Sequence, residues 1–212
     1  MVQNKQSTRR PPGRPRGYSP EIAIGQALDL FWRNGFSATS LDDLSLATGM
    51  NRPSIYGAFG DKRSLYALAF RHYRSDVRER LVPLFLAKAP LRDKFRLILT
   101  ELMEVYLSGL AGPRGCFTVM TAASDLVEDD AMRQILMDAI TAQDRAFEQL
   151  FSSAIEEGEL PASASPTALT AVATSTVYSL SVRARAGFAR EDLVRLIGHA
   201  VSAIECNPSA NK

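Results

Sequence analysis

Two capping residues, Ser40 and Asn51, bracket the glycine turn Thr48-Gly49-Met50, and this arrangement constrains the chain more than any other feature. Ser40-Leu41-Asp42-Asp43 has the S-x-x-D form of a capping box, with Leu41, Leu44 and Ala47 following at i, i+3 and i+6, so a short helix is expected to end at Thr48-Gly49. Asn51 can cap a second helix, Arg52 to Phe59, in which Ile55 and Phe59 fall on one inward face and Gly60 closes the run. Glycine lets the chain reverse tightly and sets the second helix across the first. This is helix-turn-helix spacing.

The same punctuation continues along the chain. Ser19-Pro20-Glu21 opens a helix carrying Ile22, Leu28, Phe31 and Trp32 that should stop at Asn34-Gly35. Asp61 caps a longer one, apolar at Leu65, Leu68, Ala69, Tyr73 and Val77, with Arg71, Arg74, Arg78 and Arg80 on its outer face. Pro83 and Pro90 read as a linker, Gly109 to Gly115 as a turn, and further helices are expected from about Leu91, Cys116, Asp129, Ser165-Pro166 and Arg190. Sustained period-two alternation is absent. The expectation is an all-α chain of about nine helices: a flexible basic arm over 1–18, a three-helix helix-turn-helix domain over 19–66, a larger helical domain over 67–206 and a tail over 207–212.

Charge is unevenly divided along the chain. Residues 1–80 hold 13 Lys/Arg against 7 Asp/Glu, whereas 81–212 hold 12 against 16, so only the first part suits a polyanion. No apolar run is long enough for a bilayer, and Cys116 and Cys206 give neither a disulfide framework nor a zinc spacing, which points to a soluble cytoplasmic protein without membrane association. No nucleophile elbow, phosphate loop, metalloprotease motif or dinucleotide fingerprint is present, so neither an enzyme nor a cofactor is expected. His72 and His199 are isolated, and Asp125, Glu128, Asp129 and Asp130 read as a cap and dipole complement; no metal site is expected.

In the second short helix, Arg52, Ser54 and Tyr56 point away from the Ile55 and Phe59 side. A guanidinium can bridge the guanine edge in the major groove and a hydroxyl can reach a phosphate or base. Around these residues, the run Ala27 to Phe36, then Thr39-Ser40, then Ile55-Tyr56-x-x-Phe59-x-Asp61-Lys62 with Leu65 resembles the amino-terminal signature of the TetR/AcrR family of one-component transcriptional repressors. The resemblance implies that Tyr56 and Lys62 contact phosphates, that Arg52, Pro53 and Ser54 face bases or backbone, that Thr39 and Ser40 belong to the same surface, and that Ile55 and Phe59 are core. Gly57 and Ala58 depart from the family pattern, where an aromatic residue and a phosphate-contacting histidine are common. The arm is an expected source of replacement grip: Gly13-Arg14-Pro15-Arg16-Gly17 resembles an AT-hook core, in which Arg14 and Arg16 would lie in a narrow minor groove, although a solvated basic tail has the same composition.

The helix beginning at Ser165-Pro166 is apolar or small on nearly every side, so it must be covered twice, most simply by its own chain and by a second copy. Leu169, Val172 and Leu180, with Leu193, Ile197 and Val201 of the last helix, are the expected dimer contacts. The family likeness implies a palindromic double-stranded operator, a homodimer at the bacterial nucleoid, and a small-molecule effector whose binding swings the fourth helix and lowers operator affinity. Phe95, Met103, Tyr106, Leu110, Cys116, Phe117, Met120, Phe147 and Tyr178 are the expected pocket lining, with ordinary core as the alternative for each. Arg114-Gly115-Cys116-Phe117 resembles a subgroup in which some members respond to electrophiles through a cysteine at the start of the sixth helix, which makes covalent modification of Cys116 an alternative trigger; a buried apolar role is the other reading.

Overall fold

Most helices start where a short polar side chain can satisfy the first free N–H groups. In the computed structural model, which describes residues 19–109 and 112–205, the amides of Asp43, Ser54, Ser64, Met132 and Ala168 donate to the side chains of Ser40, Asn51, Asp61, Asp129 and Ser165 respectively. Ser19 makes no such bond, and the Pro20 ring alone sets the entry of the first helix. Nine α-helices result among the described residues: α1 (Pro20–Asn34), α2 (Leu41–Thr48), α3 (Arg52–Phe59), α4 (Lys62–Phe85), α5 (Leu91–Leu107), α6 (Phe117–Ala122), α7 (Asp130–Glu156), α8 (Pro166–Arg185) and α9 (Arg190–Glu205). A 3-10 turn (Asp125–Glu128) joins α6 to α7, and the described residues contain no strand. The expected arm with Arg14 and Arg16, the tail and Cys206 lie outside the described residues, as does Leu110.

Pro83 departs from the expected linker. It sits inside the last turn of α4, which continues to Phe85 before the chain breaks towards Pro90. A proline there removes one N–H donor within three residues of the end, so the helix finishes rather than kinks.

α1 lies along α4, and the inner edge of α1, from Ala23 to Trp32, is buried against it. α4 runs unbroken across residue 66, so the head formed by α1–α3 and the body formed by α5–α9 share one helix and one core. The join is aromatic. Phe117 of α6 is fully buried, with its ring 5.1 Å from Tyr66, 5.7 Å from Trp32 and 5.8 Å from Tyr73. Trp32 lies 4.8 Å edge-on from Tyr73, and the Tyr66 hydroxyl meets Thr121 Oγ1 at 2.8 Å. Each such ring is worth about 1.5–3 kcal/mol in area removed from water, and each offset or edge pair roughly 0.5–1.5 kcal/mol more. In the body, α8 packs between α7, α5 and α9, with Leu169, Ala173, Val177, Leu180 and Ala184 all buried.

Candidate nucleic-acid interface

The head is built around the turn. Gly49 takes φ +66°, in the left-handed region where a side chain would be strained, and the preceding Thr48 hydroxyl donates to the Leu44 carbonyl at 2.7 Å and accepts from Met50 N–H. Leu44, Met50, Ile55 and Phe59 are buried beneath the motif. This fixes the opposite side of α3 outward. Arg52, Pro53 and Tyr56 are exposed, and Ser54 is half-buried. Tyr56 presents half of its surface to solvent, and an aromatic standing outward in this way suits a hydroxyl directed at a backbone phosphate.

Arg52 is not idle in the free chain. Its Nε donates to Asp42 Oδ1 at 2.8 Å and its terminal nitrogen to Asp42 Oδ2, a bidentate fork that bridges α3 back to α2 and raises the guanidinium pKa. Both side chains are exposed, so water and salt screen the pair and it adds little to stability. The same fork geometry suits the guanine edge. Asp42 thus occupies the donor edge of Arg52 in the free chain, a pairing that sequence reasoning missed; the only signal was an acid and a guanidinium on facing helices across one turn.

The remaining expected contacts divide. Ser40 is exposed, and its hydroxyl and N–H both hold the Asp43 carboxylate, which lowers that acid's pKa. Thr39 is almost wholly buried, with its hydroxyl on the Gly35 carbonyl at 2.7 Å. Lys62 donates through Nζ to the Thr39 carbonyl at 2.7 Å and lies 4.2 Å above the Phe36 ring; partial burial holds its ammonium below the ordinary lysine range. These two residues tie α4 to the α1–α2 turn. Polar contacts fix the head against the body: Ser37 donates to Asp125 at 2.9 Å, Arg114 pairs with Asp29, and Arg185 donates to the Trp32 carbonyl at 3.4 Å, while Arg63 at the start of α4 meets Asp129 at 3.1 Å. Asp129 and Asp125 of the acidic cluster are therefore engaged in capping α7 and in holding the head.

Of the expected pocket lining, Phe95, Met103, Tyr106, Cys116, Phe117 and Phe147 are buried, and Met120 and Tyr178 are half-buried. These side chains interdigitate as core, and Phe147 also borders an open groove between α4 and α7. Cys116 is the N-cap of α6; its sulfur lies 3.3 Å from the Tyr73 hydroxyl and its N–H donates to Ser181 Oγ at 2.8 Å. Arg114, two residues before it, is engaged elsewhere: its guanidinium stacks 4.0 Å over Trp32 and pairs with Asp29. Among the described residues no His, Cys, Asp or Glu group suits a metal ion.

The expected dimer contacts are redistributed. Leu169, Leu180, Leu193, Ile197 and Val201 are buried within their own chain, where they form the α5–α8–α9 core, and of the six only Val172 is exposed. The face left open on α8 is Ala168, Ala171, Val172, Ser175 and Val182, a helical stripe of small and apolar residues, continued by Phe188 and Val194. No helix of the described residues is long and apolar enough to cross a membrane.

Comparison with known proteins agrees with this geometry. Residues 23–69 match the family model for bacterial regulatory proteins of the tetR family. The chain is 27% identical over 202 residues to the HTH-type transcriptional repressor ComR of Escherichia coli (strain K12), covering 91% of this chain and 92% of that protein. It is 45% identical over 73 residues to the repressor BdcR of the same strain, covering 34% and 36%. Among solved structures, a cysteine mutant of the TetR family transcriptional regulator CifR complexed with 26 bp double-strand operator DNA matches with a TM-score of 0.81 at 30% identity, over 90% of this chain and 99% of that one.

Proposed function

The chain belongs to the TetR family and is a DNA-binding transcriptional regulator, and from that premise we propose that it is a cytoplasmic repressor acting as a homodimer, with each α3 entering the major groove of one half of a palindromic operator. The observation that carries this reading is the outward face of α3, where Arg52, Pro53 and Tyr56 stand exposed on a helix whose other side is locked by Ile55 and Phe59. Arg52 reads a base edge by exchanging Asp42 for guanine, Tyr56 and Ser40 hold the backbone, and the basic arm adds phosphate neutralisation. Thr39 and Lys62 serve the site by bracing it.

The second copy is supported by the small apolar stripe on α8 with Val194, which stands exposed, and by Phe188, exposed beside the Arg183 guanidinium 5.1 Å over its ring. Two protomers joined there form a four-helix contact from α8 and α9 and set the reading helices about one turn of DNA apart, ~34–36 Å. An effector bound in the body favours a displaced α4, which lowers operator affinity, and by linkage DNA weakens the effector equally.

A mobility shift on the promoter beside the protein's own gene tests this. Saturable binding that resists nonspecific competitor supports the reading; binding that every competitor sequence abolishes equally overturns it. Arg52→Ala should cost about 1–3 kcal/mol and relax discrimination at one base position.

A further inference from the structure

α4 and α7 touch only sparsely along their length and leave between them a groove of about 870 Å³, which no residue of the described chain fills. Its floor is apolar, from Phe70, Val77, Leu102 and Phe147. Its rim is basic. Arg71, Arg74 and Arg78 line it from α4 and Arg145 from α7, against a single carboxylate, Asp138, which is held by Gln134 at 2.8 Å. Arg74 reaches across to the Ala139 carbonyl at 3.2 Å, so its guanidinium is fixed between the two helices, while Arg71, Arg78 and Arg145 have no ion-pair partner among the described residues. Gln143 lines the same groove with its Nε2 buried and without a hydrogen-bond partner, a donor left for a ligand oxygen. Beyond Val82 and Phe85 the groove continues into a second cleft of about 1040 Å³ over Leu86 and Leu150, where Val82 and Leu86 are exposed apolar side chains. The α4 stretch from Arg74 to Phe85 spans about 16 Å at the helical rise, room for a medium-length alkyl chain.

The geometry points to a ligand site for an amphipathic anion, with a phosphate or carboxylate head among Arg74, Arg145 and Gln143 and an unbranched apolar tail along Val82 and Phe85. This inference rests on the regulator reading above and names the chemical class of its effector. The route to the DNA-reading head is short. α4 carries it directly, whereas α7 holds the start of α4 through Arg63–Asp129 and, by way of the preceding 3-10 turn, the α1–α2 turn of the head through Ser37–Asp125. A tail wedged between α4 and α7 moves one anchor of the reading head relative to the other and weakens both contacts.

Isothermal titration of the full-length protein with dodecyl phosphate, dodecyl maltoside and dodecyltrimethylammonium, each below its micellar concentration, tests the site. The phosphate should bind at least about tenfold more tightly than the neutral maltoside, as expected for a head group pairing with guanidinium, and the cation most weakly. Arg74→Ala combined with Arg145→Ala should erase that preference; Arg71→Glu with Arg145→Glu, both at exposed positions, repeats the test should loss of the Arg74 bridge unfold the protein. Equal binding of the three probes, or an anion preference unchanged in the variants, overturns the site. Operator affinity, read by anisotropy of a labelled duplex with and without dodecyl phosphate, should fall at least about tenfold, the lower part of the range for coupling between sites; anion binding without that fall overturns the effector role. Failure of the ligand-free protein to bind any operator sinks the regulator reading instead, which keeps the two failures apart.

Discussion

The two sides of α4 are made differently. Towards α1 and α6, Tyr66, Phe70 and Tyr73 enter a closed aromatic cluster around Phe117 and Trp32, with ring separations near 5–6 Å and a buried hydroxyl pair. Towards α7, a turn or less away on the same helix, Arg71, Arg74 and Arg78 overlook an open groove. One side cannot slide without breaking dense contacts, because interiors of this kind are close-packed; the other can open at little cost. The two sides therefore differ in what a displacement of α4 would cost, and the head packs on the closed side.

The largest effect should come from the closed side. Phe117→Ala removes the ring that touches Trp32, Tyr66, Phe70 and Tyr73, and should destabilise the protein by about 3–5 kcal/mol in urea unfolding. A loss below about 1 kcal/mol, no more than an ordinary substitution costs, would show that the cluster does not hold the closed side.

Alkali should act on the same side. Burial pushes the Tyr66 hydroxyl up to about 12, with its hydrogen bond to Thr121 opposing, and burial raises Tyr73 and Tyr106 well above the tyrosine range. A folded-state value above the unfolded 10.0 means that the full stabilisation is present below pH 10, and that it falls as pH rises towards 12 because the unfolded chain ionises first. The expected slope is at most about 1.4 kcal/mol per pH unit for each group. Urea midpoints that stay flat across this window would place the tyrosines in contact with water.

Tyr66→Phe is smaller. It removes one buried hydrogen bond, while Thr121 keeps its own bond to the Phe117 carbonyl at 2.8 Å, so about 0.5–1.5 kcal/mol should be lost. The smallest effect belongs to the open side: Arg78→Ala should change stability by no more than about 0.5 kcal/mol. A cost comparable to that of Phe117→Ala would mean that the groove is already structural, and the contrast between the two sides would vanish.

Local chemistry made much of the fold legible. Ser40, Asn51, Asp61, Asp129 and Ser165 cap where short polar residues precede apolar periodicity, and Gly49 turns where only glycine is unstrained. Pro83 misled because a proline near a helix end and a proline in a linker look alike until the carbonyls find partners. The α3 surface was legible from the four-residue spacing of Ile55 and Phe59. The bracing role of Thr39 and Lys62 was not, since a lysine seated on a carbonyl and a ring has the same sequence signature as one facing phosphate. α8 hid its open face for a related reason: with apolar or small residues all round, periodicity shows that two coverings exist but not which side each takes, and Leu180 went to the chain's own core. The groove needed a partner helix. Arg71, Arg74 and Arg78 stood out as a row, but Arg145 joins them only through the way α7 crosses.

Trp32 is the only tryptophan of the chain, and it sits where α1, α4 and α6 meet, between the Arg114 guanidinium and the Tyr73 ring. Its indole is the molecule's own fluorophore. Emission from a single buried site, shielded by a cation on one side and an aromatic edge on the other, shifts and dims as water or a displaced neighbour arrives. The protein therefore carries an intrinsic gauge, with no label attached, of whether the junction of α1, α4 and α6 stays closed.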